Sequence, residues 1–364
     1  MHITIAISSL GQGGAERIAS IMANYWGDRG HRVSIVTLSK AETAPAYPLG
    51  KSIELYNLGL SGQSDNVVHG ALGNFKRVWE IRKNLRHLKP DVVISFMDTM
   101  NVLILLASRG LHLPVIVTEH CHPVQFPLGK MWHLLRKCVY PYASAVVVLG
   151  TEIKQWFAKH LHSKRLEIIH NPVIITPCPI VAKPRECGTI ISAGRLVEEK
   201  QFMLLIEAFV PLAHDFPHWK LVIHGEGPER SRLEQKIQET GLHDQISLPG
   251  WADDIHSRMA QADIFALTSR SEAFPGALCE AMACGLPAVS FNCPSGPAEI
   301  IRPGRDGVLV PVGDIEALTR ELRRFMDDEG LRKTYGERAE KILKRFSLDE
   351  TMKKWELLIQ DSLC

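Results

Sequence analysis

The chain has 364 residues, 45% hydrophobic and 23% charged, which excludes a disordered polymer because enough apolar surface is available to offset chain entropy. One core rarely sustains such a length, so two domains are expected, and no apolar run approaches the roughly 18 residues that cross a bilayer, leaving only peripheral membrane contact. The net charge of +2 conceals a split, +8 over residues 1–180 and −6 over the rest, so only the first part is expected to face an anionic partner.

The chain opens on a predicted strand at 2–8 with no basic leader before it, and so reads as a domain start. GQGGAER at 11–17 follows, where Gly11, Gly13 and Gly14 let a ligand approach the backbone at the start of a helix over 14–29. This is not the dinucleotide fingerprint. Glu16 stands where Gly or Ala is needed, and Ser39 and Lys40 stand where the ribose-binding acid belongs. A nicotinamide oxidoreductase is disfavoured and no cofactor is expected.

Further strands are predicted at 32–38, 91–96, 114–119, 145–149 and 166–170, with helices at 74–88, 100–109, 129–139 and 151–160 between them. Short apolar runs alternating with amphipathic stretches are the pattern of a parallel sheet covered on both faces. NFKRVWEIRKNLRHLK at 74–89 sets Lys76, Arg77, Arg82, Lys83, Arg86 and Lys89 against Glu80 alone. Phe75, Val78, Ile81, Leu85 and Leu88 recur at helical spacing and are expected to face the sheet, turning the cations outward. That face suits anionic lipid or a lipid-linked diphosphate, the alternative being a solvated helix.

His120 ends the strand PVIVTEH, at the sheet edge where ligands bind, although a lone histidine there is also read as a structural hydrogen-bonder. Glu119 and His122 are its neighbours, but successive side chains of a strand leave on opposite faces, so a metal cluster of the three is disfavoured and no metal site is expected.

The stretch 171–187, with four prolines and no period, reads as a linker. The alternation then restarts, with strands at 188–193, 219–224, 245–248, 263–268, 287–291 and 308–310 and helices near 201–214, 229–240, 253–261, 277–284 and 314–327. The expected division is therefore 1–172, 183–345, and a helix over 346–364 that buries its apolar face on the first domain.

SAGRLVEEK places Arg195 and Lys200 after the first strand of the second domain, where an Arg fork and a Lys point charge can clamp a diphosphate. SRSEAFPGALCEAMACGLP at 269–287 puts Glu272 on a loop and Glu280 one turn inside the next helix, whose start at Pro275 and Gly276 leaves N–H groups for an anion. A carboxylate accepts two hydrogen bonds side by side, which suits vicinal sugar hydroxyls. By spacing alone the pair reads equally as one helix-start carboxylate and one solvated one. CPSGPAEII at 293–301 offers a further helix start through Ser295 and Gly296.

Taken in order, GGAE, GR-x4-K, E-x7-E and CG-x-P resemble the retaining glycosyltransferases of family four over essentially the whole chain. The resemblance implies an α/β fold of two Rossmann-like doubly wound domains facing across a cleft (GT-B), an acceptor-binding first domain and a nucleotide-sugar-binding second. It implies a donor diphosphate held by Arg195 and Lys200, a sugar held by Glu272 with Phe274, Pro275 and Gly276 beside it, and a ribose held by Glu280. Gly13 and Gly14 would lie across from the donor phosphates, and His120 near the transferred sugar. The family's E-G-F reads Glu272-Ala273-Phe274 here, which leaves the donor sugar unassigned.

SFMDT at 95–99 and TEH at 118–120 are most similar to bacterial transferases that extend undecaprenyl-diphosphate-linked glycans, the N-acetylgalactosaminyltransferases of protein N-glycosylation among them. On that likeness Lys76, Arg77, Arg82 and Lys83 would bind the acceptor lipid, and the protein would sit in the cytoplasm against the inner face of the plasma membrane. Partners would be a nucleotide diphosphate sugar, favouring UDP, a glycan acceptor on a lipid diphosphate, and the anionic membrane surface. No carboxylate of the first domain stands as a nucleophile, so the leaving phosphate would itself take the acceptor proton. The competing enzyme is a nucleotide-sugar epimerase of the same architecture. A nucleic-acid protein lacks support, since no stacking motif or recognition helix is found.

Overall fold

The computed structural model describes residues 1–62, 67–176 and 188–363, residues 67–71 by their backbone alone. The predicted linker 171–187 therefore lies outside the described residues from 177 onward. Two compact units emerge, Met1–Asn171 with Thr351–Cys364, and Pro172–Glu350.

The first unit holds β1 (His2–Ala6), α1 (Gly14–Asp28), β2 (Arg32–Thr37), β3 (Ile53–Asn57), α2 (Val67–Leu88), β4 (Val92–Phe96), α3 (Asp98–Ser108), β5 (Val115–Glu119), α4 (Lys130–Val139), β6 (Ala145–Val148), α5 (Thr151–His160) and β7 (Leu166–Ile168). Its seven strands are parallel in the order β3-β2-β1-β4-β5-β6-β7, with Ile3 opposite both Val33 and Val92. Strands β1, β4 and β5 are buried along their whole length, as β-branched runs covered on both faces should be. Sequence order reverses between β1 and β4, which opens a crevice at the carboxyl ends of those strands.

The second unit holds β8 (Thr189–Ala193), α6 (Phe202–Asp215), β9 (Lys220–His224), α7 (Arg230–Thr240), β10 (Ile246–Gly250), α8 (Ile255–Ala260), β11 (Ile264–Leu267), α9 (Gly276–Ala283), β12 (Ala288–Phe291), α10 (Pro297–Ile300), β13 (Gly307–Val310), α11 (Ile315–Asp327), α12 (Glu329–Ala339) and α13 (Ile342–Arg345). Six parallel strands run β10-β9-β8-β11-β12-β13, and here the switch lies between β8 and β11. A core of Phe209, Leu221, Ile264, Phe291, Leu322 and Phe325 packs the sheet against its helices. From Thr351 on, α14 (Leu348–Leu363) belongs to the first unit, burying Met352, Trp355, Leu358 and Ile359 and pairing Asp361 with Arg165 at 2.8 Å.

The fold class is thus the doubly wound parallel α/β pair read from the sequence. Three elements were not: β3, a half-buried edge strand, α12, whose glycines blur its period, and the single turn of α13. The apolar face assigned to α2 also needs correction. Ile81, Leu85 and Leu88 are buried, but Phe75 is 72% exposed, together with Leu72 and Trp79.

Candidate active site

Two glycines shape the loop after β8. A Cβ on Gly225, whose φ is +145°, would overlap the Gly194 carbonyl oxygen, and one on Gly227 would overlap that of Leu196. Without side chains there, Gly194 N–H reaches the His224 carbonyl at 3.0 Å and Leu196 N–H that of Glu226 at 2.8 Å. The G-x-G pair after β9 thus seats the turn that carries Arg195 and Lys200. That signal is visible in HGEGPE at 224–229, although the sequence reading passed over it.

Thr268 Oγ1 donates to the Lys200 carbonyl at 2.9 Å and Arg270 N–H to that of Glu199 at 2.9 Å, fastening this turn to the end of β11. Lys200 Nζ lies 2.5 Å from Glu272 Oε1, an oxygen that also accepts from Ser269 Oγ at 2.6 Å. Residues 72 positions apart therefore meet at the switch point between β8 and β11. Their side chains are 22% and 12% exposed, so the pair is shielded but reachable. Arg195, from the same turn, is exposed, and its side chain has no hydrogen-bond or ionic partner among the described residues.

Gly296 has φ +69°, and a Cβ there would stand 2.7 Å from Pro275 Cδ and 3.0 Å from Glu272 Cβ. The loop after β12 is thereby pressed onto the one bearing Glu272. Phe274 is buried edge-on against Phe346, their ring centres 5.3 Å apart, so it braces that loop from within. Pro275 caps α9, and Gly276 is exposed at its first turn. Glu280 is only 8% exposed; its Oε1 lies 3.8 Å from where a Gly276 Cβ would be, and its Oε2 lies 3.7 Å from Nε2 of His256, a residue the sequence reading did not single out.

In the first unit Gly13 is the N-cap of α1, and a Cβ there would run into the Glu16 carboxylate, while Gly14 is open. His120 follows β5, stacks on Phe96 at 5.2 Å and shares a 3.0 Å hydrogen bond with Thr118 Oγ1. Burial lowers its pKa to about 4, so the ring is neutral under ordinary conditions. Glu119 points the other way, 2% exposed, accepting a hydrogen bond from the Tyr140 hydroxyl with Arg136 at 4.0 Å. Burial lifts Glu119 to about 7 against the opposing pull of Arg136. His122 Nε2 lies 3.9 Å from Glu152. Among the described residues no three His, Cys, Asp or Glu side chains gather at one point.

Of the four α2 cations expected to bind the acceptor lipid, two are not turned outward. Arg77 donates to the carbonyls of Leu60 and Gly62 at 3.0 and 2.7 Å. Arg82 donates to those of Ala107 and Arg109 at 2.7 and 2.6 Å, capping the end of α3. Periodicity places a side chain on a face but does not show which carbonyls lie within reach of a guanidinium. Lys76 and Lys83 remain exposed, Lys83 Nζ 5.6 Å from the centre of the Trp79 ring. No described helix is long and apolar enough to cross a membrane.

Comparison with known proteins gives two family matches, Glycosyltransferase Family 4 over residues 12–176 and Glycosyl transferases group 1 over residues 179–342. The Campylobacter jejuni GalNAc-alpha-(1->4)-GalNAc-alpha-(1->3)-diNAcBac-PP-undecaprenol alpha-1,4-N-acetyl-D-galactosaminyltransferase is 28% identical over 363 residues, 99% of each chain. An exopolysaccharide phosphotransferase of Streptomyces coelicolor is 38% identical over 290 residues, 78% of this chain but only 30% of that longer protein. Among solved structures, Anabaena HepE in complex with UDP matches with a TM-score of 0.78 at 19% identity, over 99% of this chain and 100% of that one.

Proposed function

Since the chain belongs to the glycosyltransferases, with a family 4 region followed by a group 1 region, we propose that it moves a hexose or N-acetylhexosamine from a UDP-sugar to a lipid-linked or cell-surface glycan, with retention and without a metal ion. The observation that carries this reading is the meeting of Lys200 and Glu272 at the switch point of the second unit. Arg195 and Lys200 hold the donor diphosphate and stabilise its charge as it leaves, Glu272 takes hydroxyls of the sugar, and Glu280 takes the ribose. The anion draws Lys200 from Glu272, and the carboxylate turns to the sugar. The bond from the anomeric carbon to the diphosphate oxygen breaks. The acceptor hydroxyl then forms its bond on the same face, and the departing phosphate oxygen takes its proton.

His120, being neutral, hydrogen-bonds the sugar as an uncharged ring. UDP as the nucleotide is supported by the complex of the structural neighbour, and a lipid diphosphate acceptor by the name of the Campylobacter relative. The exposed Leu72, Phe75 and Trp79 of α2, beside Lys76 and Lys83, form the mixed apolar and cationic surface that settles on an anionic bilayer. The first unit would then receive the acceptor at the inner face of the plasma membrane.

A panel of UDP-sugars tested for UDP release, with and without lipid-linked glycan and with and without chelator, examines all of these points. Release is expected only with acceptor and unchanged by chelator, and Lys200→Ala is expected to slow it about a hundredfold or more. Sugar turnover without acceptor would instead indicate epimerisation, and loss of release on chelation would reject metal independence.

A further inference from the structure

His256, in the first turn of α8, is 9% exposed and is held between two partners from distant parts of the second unit. Its Nδ1 accepts the backbone N–H of Thr176 at 3.0 Å, so that nitrogen carries no proton. The proton of the neutral ring must then sit on Nε2. That nitrogen is buried and has no hydrogen-bond partner among the described residues, while Glu280 Oε2 stands 3.7 Å away. A buried donor left a few tenths of an ångström short of a carboxylate is poised for a bond that a small movement completes.

We infer that His256 is a positioning residue that orients the Glu280 carboxylate for the vicinal hydroxyls of the donor ribose, its ring fixed in the Nε2–H tautomer by Thr176. The inference rests on Glu280 being the ribose ligand. A Glu280 oxygen that takes the His256 proton donor fixes the plane in which the carboxylate meets the ribose. The imidazole thus links the backbone at Thr176 to the ribose site.

Two substitutions separate the edges of the ring. In His256→Asn the amide oxygen can replace Nδ1 toward Thr176, but nothing reaches Glu280. In His256→Gln the longer amide can replace Nε2 toward Glu280. Binding of UDP and of 2′,3′-dideoxy-UDP is measured by calorimetry for the wild type, both variants and Glu280→Gln. His256→Asn is expected to weaken UDP about tenfold, the size of one charge-assisted hydrogen bond, with little change for the dideoxy nucleotide. His256→Gln should recover most of the loss, a split that a purely structural role would not produce.

UDP binding by His256→Asn at wild-type strength, or equal loss for both nucleotides, overturns the inference. Should Glu280→Gln bind UDP as the wild type does, or the wild type not distinguish the two nucleotides, the ribose reading itself falls and this one with it. Loss in Glu280→Gln without loss in His256→Asn removes the role of His256 alone.

Discussion

Glu119 ends β5 and His120 follows it, and the two neighbouring side chains enter different surroundings with opposite consequences. Glu119 is raised from 4.5 to about 7 by burial, so the folded state holds its proton longer than the unfolded chain. Its contribution to stability is complete below about pH 4.5 and is lost as the pH rises through 7. His120 is lowered from 6.5 to about 4, and its contribution is complete above about pH 6.5 and lost as the pH falls through 4. Glu119→Gln should therefore remove the decline between about pH 4.5 and 7 and leave only the rise between about pH 4 and 6.5 that belongs to His120. Urea titrations at half-unit pH steps would show this, and an unchanged decline with pH in the variant would clear Glu119 as its source. Because His120 stays neutral, its titration should add no acidic limb near pH 6.5 to the rate profile.

Among the elements, α2 carries the surface proposed to meet the membrane. Arg82 is committed to the carbonyls of α3, so replacing it tests the fold as much as the membrane. Lys76 and Lys83 are the sound targets, and Lys76→Glu with Lys83→Glu should weaken association with anionic vesicles by at least roughly thirtyfold, at about 1 kcal/mol per cation. Transfer to a soluble acceptor should persist, and an equal loss on soluble and vesicle-borne acceptors would reject the membrane role. The sequence displayed the strand and helix alternation plainly, because buried parallel strands are short runs of Val and Ile such as VIVTE. It displayed Lys200 and Glu272 for a related reason, since both follow a strand whose carboxyl end must face a crevice. β3 escaped because an edge strand, half buried, lacks a clean alternation. Phe75 misled because helical spacing alone does not reveal where a helix outruns the sheet it covers. His256 was illegible, since its partners lie 80 positions before it and 24 after, and only the folded sheet brings them together.

At the scale of the whole molecule, two cores imply two unfolding transitions, and α14 assigns itself to one of them. Trp355 is 5% exposed between Met352 and Ile359, which are fully buried. Trp355→Ala should cost about 3–5 kcal/mol, the range for emptying a large aromatic from a core. The loss should appear in the transition of the first unit alone, followed by hydrogen exchange in β1 and β5, with protection in β8 and β11 unchanged. Equal loss in both sets of strands would show that α14 serves the second core as well. The same helix also sets a schedule for biosynthesis. The ribosome delivers the first unit's last apolar segment only after all 179 residues of the second, a delay of roughly ten to thirty-five seconds at the usual pace. Throughout that interval the nascent first unit must display the surface that Trp355 will later cover, which marks it as a client for chaperones until the last turn of α14 emerges.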